Sequence, residues 1–127
     1  MLDKIEYLED GKIRYSMLFS LNVMEATEHE YGTIENWTTA MSKQNGEPGY
    51  SALKFMVLEV INEGIDFQNE KLSDDKKRDL LTSKQVGRLI SRLGFEKVGK
   101  KVFKMIGDSF PKDDSSKNAV PTQKTKK

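Results

Sequence analysis

The sequence predicts an α+β fold, mostly α, with an N-terminal β-hairpin packed on a bundle of about four to five helices and a disordered C-terminal tail. Three observations carry this. Apolar residues alternate on either side of Asp10-Gly11, recur every three or four positions from Leu21 onward, and nearly vanish after Phe110. The expected organisation is one folded domain over residues 1–107, with the hairpin at 4–19 and helices within 21–107, followed by a tail over 108–127.

The hairpin comes first. Ile5 and Tyr7, then Ile13, Tyr15, Met17 and Phe19, alternate with polar neighbours around Glu9-Asp10-Gly11-Lys12. Asp-Gly between two such runs favours a tight hairpin turn, because Gly accepts positive φ. Two strands alone are marginal in water, so their apolar face must pack on helices.

Leu21, Met24 and Glu25 through Tyr31 form a first helical segment that Gly32 can end in a left-handed conformation. Thr33 can cap a second, carrying Ile34, Trp37 and Met41. Asn45-Gly46-Glu47-Pro48-Gly49 is a loop by its punctuation. Residues 51–63 are apolar most of the way round, with Leu53, Val57, Val60 and Ile61 on one side and Phe55, Met56 and Leu58 on much of the rest. This pattern predicts a central core helix ending at Gly64, against which Trp37 packs, with both Trp37 and Leu58 buried. Residues 65–79 read as a long polar connection. Thr82 or Ser83 then caps a helix carrying Val86, Leu89, Ile90 and Leu93 as far as Gly94. A last helix places Phe95, Val98, Val102 and Ile106 on one side and stops at Gly107.

Composition narrows the function classes. Only 36% of the 127 residues are hydrophobic while 32% are charged, which fits a small core with a solvated segment. The absence of cysteine excludes disulfides, zinc–thiolate sites and cysteine nucleophiles, and fits a reducing compartment. No apolar run approaches the ~20 residues of a membrane helix, and Met1-Leu2-Asp3-Lys4 does not open a signal peptide, so a cytoplasmic protein is expected. The net charge of +1 conceals a strong polarity. Residues 1–75 hold 15 acidic and 6 basic side chains (−9), residues 76–107 hold 2 acidic and 10 basic (+8), and residues 108–127 hold 3 acidic and 5 basic (+2). Each block can be a solvated face; alternatively, opposite ends can dock head to tail or against an acidic partner.

Motifs for catalysis are absent. Glu25 and His29 share a helix face, but the single histidine leaves no imidazole set for zinc, and a solvated acidic helix explains them. Asp74-Asp75 and Asp113-Asp114 lack calcium-loop spacing, no Gly-rich phosphate cradle exists, and no Gly-x-Ser-x-Gly elbow occurs. No cofactor, metal or enzymatic activity is expected. Lys97, Lys100, Lys101 and Lys104, with Phe103 among them, are the candidate partner-binding residues. An ordinary amphipathic helix covering the core accounts for the same pattern.

The order of elements resembles a known family. The hairpin leads into Tyr15-Ser16-Met17-Leu18-Phe19-Ser20-Leu21-Asn22, then a glutamate-rich helix ending Tyr31-Gly32, a Thr33-Ile34-Glu35-Asn36-Trp37 step, the core helix to Gly64, and Leu81-Thr82 before Val86-Gly87-Arg88-Leu89-Ile90. Over residues 5–94 this is similar to the tail assembly chaperones of long-tailed bacteriophages and prophages of Gram-positive bacteria. The resemblance implies a non-enzymatic protein of the host cytoplasm, absent from the finished virion. It implies binding and solubilising of the tape measure protein while tail tube protein polymerises around it, and self-association. Beyond Gly94 the sequence matches no element of that family, so the basic helix is read on its charge alone. The competing class is a small nucleic-acid-binding regulator, in which Lys84, Arg88, Arg92, Lys97, Lys100, Lys101 and Lys104 of residues 84–104 face only Glu96.

One prediction follows from composition. After Phe110 only Ala119 and Val120 are apolar, too little burial to offset the entropy of ordering. Deleting residues 111–127 should leave the thermal midpoint unchanged. A fall of more than about 4–8 °C, worth roughly 1 kcal/mol at this size, would show that the tail docks.

Overall fold

The computed structural model describes residues 5–42 and 49–109. Strands β1 (Ile5–Asp10) and β2 (Ile13–Leu18) precede helices α1 (Leu21–Tyr31), α2 (Ile34–Met41) and α3 (Tyr50–Asn69). A single 3₁₀ turn at Asp74–Lys76 leads to α4 (Ser83–Leu93) and α5 (Phe95–Ser109). The fold is α+β and mostly helical. The loop expected at 45–49, apart from Gly49, lies outside the described residues, as does the tail beyond Ser109.

The hairpin closes on Gly11-Lys12, with Gly11 at φ +62° and Asp10 paired to Ile13. Its register corrects the apolar face read from the alternation. Opposite residues share a face, and Leu8 stands opposite Tyr15 while Glu6 stands opposite Met17. Ile5 and Tyr7 therefore lie on the other face, opposite Leu18 and Ser16. Leu8 and Met17 enter the core, whereas Ile13 at the turn is half exposed. Both faces are engaged. From one, Glu6 and Asp10 reach basic side chains of α5 and α4; from the other, the Ser16 hydroxyl donates to Gln68 Oε1 of α3 at 2.7 Å.

Helix termini follow local chemistry. The Ser20 and Thr33 hydroxyls accept from the backbone N–H groups of Asn22 and Asn36, capping α1 and α2. Gly32, at φ +90°, ends α1 with its N–H on the Glu28 carbonyl. Thr82 and Gln85 form a capping box at the start of α4. Gly94, at φ +102°, closes α4, and its carbonyl accepts the first hydrogen bond of α5 from the Val98 N–H.

α3 is the central element. Its buried positions recur in pairs four apart: Ala52-Leu53, Met56-Val57, Val60-Ile61 and Gly64-Ile65. Trp37 is fully buried against it and donates its indole N–H to the Ala52 carbonyl at 2.9 Å. Leu58, expected to be buried, is only half-buried, because it falls outside those pairs. Gly64 does not end the helix either. α3 continues to Asn69, carries Ile65 into the core, and uses Gly64 for close approach: a Cβ there would stand 2.5 Å from the Ser16 carbonyl oxygen. The connection is correspondingly shorter and starts at Glu70. Two asparagines on α3 fasten its return. Asn69 exchanges two hydrogen bonds with the Arg78 backbone, and Asn62 does the same with Leu81. α5 passes Gly107 and ends at Ser109, which is buried with its hydroxyl on the Met105 carbonyl.

Two glycine substitutions in helices should move in opposite directions. Alanine exceeds glycine in helix propensity by about 1 kcal/mol. At Gly87 the nearest atom to an added Cβ is the flexible Lys54 chain at 3.5 Å, so Gly87→Ala should raise stability by up to that amount. At Gly64 the obstacle is β2 backbone, and overpacking of about 1–3 kcal/mol or more should dominate. Denaturant titration showing Gly64→Ala as stable as wild type would contradict the close approach of α3 to β2.

Candidate docking surfaces

The charge split along the chain becomes a split over the surface. On α1 and α2, Glu25, Glu28, Glu30 and Glu35 are exposed. Glu28 and Glu35 border a notch of about 150 Å³ whose lining also includes Met24, Thr27 and Ile34. His29 and Glu25 both face outward, and among the described residues no three candidate ligands converge on a metal position. Further along this acidic side, Glu63 accepts hydrogen bonds from the Ser20 hydroxyl at 2.6 Å and the Asn22 amide at 3.0 Å. Partial burial of Glu59, and then the charge of Glu63 one turn away, push the Glu59 carboxyl above the ordinary carboxylate range.

All five candidate partner-binding residues lie exposed on α5, because its core side is filled by Val98, Val102, Met105 and Ile106. They are not equivalent. Lys97, Lys100 and Lys101 have no ion pair among the described residues. Lys104 is tethered, 2.9 Å from Asp108 and 3.9 Å from Glu6 of β1. The hydrogen bond to Asp108, helped by the charges of Asp108 and Glu6, raises its pKa. Lys104 thus joins α5 to the hairpin. Phe103 is 42% exposed, with its ring 5.4 Å from the buried Trp37. Beside it lies a mainly apolar depression of about 200 Å³ formed by Met41, Phe95, Glu96, Gly99, Lys100 and Phe103. Tyr50, 59% exposed, packs edge-on against Phe95 at 5.3 Å and extends the aromatic surface. Sequence spacing missed this depression, since Met41 and Phe95 belong to different helices.

A second basic surface runs along α4. Lys84, Arg88 and Arg92 stand one turn apart on its exposed side, opposite Lys54 of α3. Arg92 binds Asp10 through Nη2 at 2.8 Å and Nε at 3.2 Å, which raises its pKa chiefly by the hydrogen bond. Among the described residues no helix is long and apolar enough to cross a membrane. In comparisons with known proteins, no family model, curated sequence or solved structure matches this chain.

Glu59 makes a pH-dependent prediction. A raised folded-state pKa means that the folded chain holds the proton more tightly, so wild type loses stability as pH rises through that pKa. Glu59→Gln should therefore melt above wild type at neutral pH. The gain should shrink as the pH falls through the carboxylate range. A gain unchanged at acid pH would show that the effect is not electrostatic.

Proposed function

We propose that this protein is a non-enzymatic tail assembly chaperone of a long-tailed bacteriophage or prophage, which binds the tape measure protein and keeps it soluble in the host cytoplasm while the tube assembles. The order of motifs from the hairpin to the Val86-Gly87-Arg88-Leu89-Ile90 helix motivates the reading. The observation that carries it is the surface of α5, where an aromatic depression sits beside the lysine stripe 97, 100 and 101.

That combination suits a long helical client. An amphipathic helix presents an apolar stripe every three or four residues, and a groove with one aromatic anchor can accept one repeat of it. The unpaired lysines supply attraction at range and affect association rate more than final affinity. Many weak engagements along a repetitive client hold it by avidity without any deep site. Self-association can draw on the same lysines and the acidic α1–α2 surface of a second copy.

Co-expression with the tape measure protein encoded beside its gene is the test. The client should become soluble and co-purify. Lys100→Glu with Lys101→Glu should weaken both co-purification and self-association at low salt, with the circular dichroism spectrum unchanged. Equal client solubility with and without this chain, and no co-purification, would sink the reading. Steeply salt-dependent DNA binding in a gel shift would then favour the nucleic-acid regulator.

A further inference from the structure

The groove between α3 and α4 is built differently from the α5 surface and shares no lining residue with it. Its floor is Gly87 and Ser91, two small residues one turn apart on α4. One wall is the row Lys84, Arg88 and Arg92; the other is Lys54, whose ammonium would stand 3.6 Å from a Cβ placed at Gly87. The depression is shallow and widely open to solvent. An added Cβ at 87 would make only ordinary contact with Lys54, whereas a side chain longer than alanine would extend into the groove.

The charges are largely uncompensated. Asp10 neutralises Arg92 at one end, but Lys54, Lys84 and Arg88 have no ion pair among the described residues. From these features we infer that the groove is a second docking site, for an acidic α-helix of a partner protein carrying carboxylates one turn apart. Residues four apart on a helix rise by about 6 Å, so the basic row of α4 and an acidic row on an apposed helix share one repeat. The small floor lets the two backbones approach.

Nucleic acid fits less well. Three free cations fall short of the roughly 6–10 phosphate contacts of a strong DNA binder. No aromatic side chain lines the groove for base stacking. A small anionic metabolite would leave most of an open trough unfilled. This site is independent of the tail-assembly reading, because its residues and those of α5 can be changed separately.

The test uses a fluorescently labelled, alanine-based helical peptide with glutamate at every fourth position, titrated with the full chain at low and moderate salt. Binding should be salt-dependent. Lys84→Glu with Arg88→Glu should weaken it at least about tenfold, and so should Gly87→Leu, which fills the floor and leaves every charge in place. Lys100→Glu with Lys101→Glu, which lie outside the groove, should weaken it much less than Lys84→Glu with Arg88→Glu. Circular dichroism and thermal melting check folding, and Ser91→Leu supplies the same steric block if Gly87→Leu melts early. Absence of peptide binding overturns the proposal. So does binding that survives both floor substitutions, which would reduce the groove to diffuse charge. Tighter binding of a DNA duplex, or a dimer in sedimentation velocity that competes with the peptide and is lost with Gly87→Leu, would assign the groove to nucleic acid or to a second copy instead.

Discussion

The contact of α3 with β2 at Gly64 and Ser16 is the constraint on which the rest of the structure depends. A two-stranded sheet has no stability of its own, and here it is held by a helix whose backbone comes close enough that a methyl group would collide with a carbonyl. That closeness lets Gln68 reach the Ser16 hydroxyl and seats Ile65 in the core. Beyond that contact, Asn62 and Asn69 of the same helix hold the returning chain. With α3 placed against the hairpin, α4 and α5 have one side left to cover. Asp10 and Glu6 meet Arg92 and Lys104 there.

The ion pairs at that junction are exposed, and exposed pairs contribute at most about 1 kcal/mol each. They orient more than they stabilise. Stability resides in the apolar core, where Leu8, Phe19, Trp37, Leu53, Met56, Ile61, Leu89 and Met105 are almost wholly excluded from water. The remaining charge is free to serve recognition. Lysines 97, 100 and 101 and the Lys54–Lys84–Arg88 group are separate positive surfaces on one small domain, while the glutamates of α1 and α2 form a negative one. A surface partitioned in this way favours oriented, salt-sensitive association over indiscriminate binding.

Much of this was legible in the sequence, because it follows from short-range rules. The hairpin at Asp10-Gly11, the left-handed end at Gly32, the Thr33 and Thr82 caps, the stop at Gly94 and the burial of Trp37 each depend on a few neighbouring residues. The lysine face of α5 was also visible, since Val98, Val102 and Ile106 leave the lysines only the outer side.

What the sequence by itself determined was the class of fold, the order of its elements and the segregation of its charge. Hydrophobic period and backbone preference act locally and need no knowledge of what is adjacent in space. Tertiary structure decided the rest. It chose Leu8 over Ile5 and Tyr7 for the core face of β1, through a register that alternation cannot reveal. It turned Gly64 from a helix stop into a point of close packing and left Leu58 half-buried, because burial depends on which neighbours arrive. It also tied Lys104 to Glu6 and set Lys54 opposite Arg88 across a glycine floor. Those pairings join residues far apart in the chain, and only the packing of α3 against the hairpin and α4 brings them together.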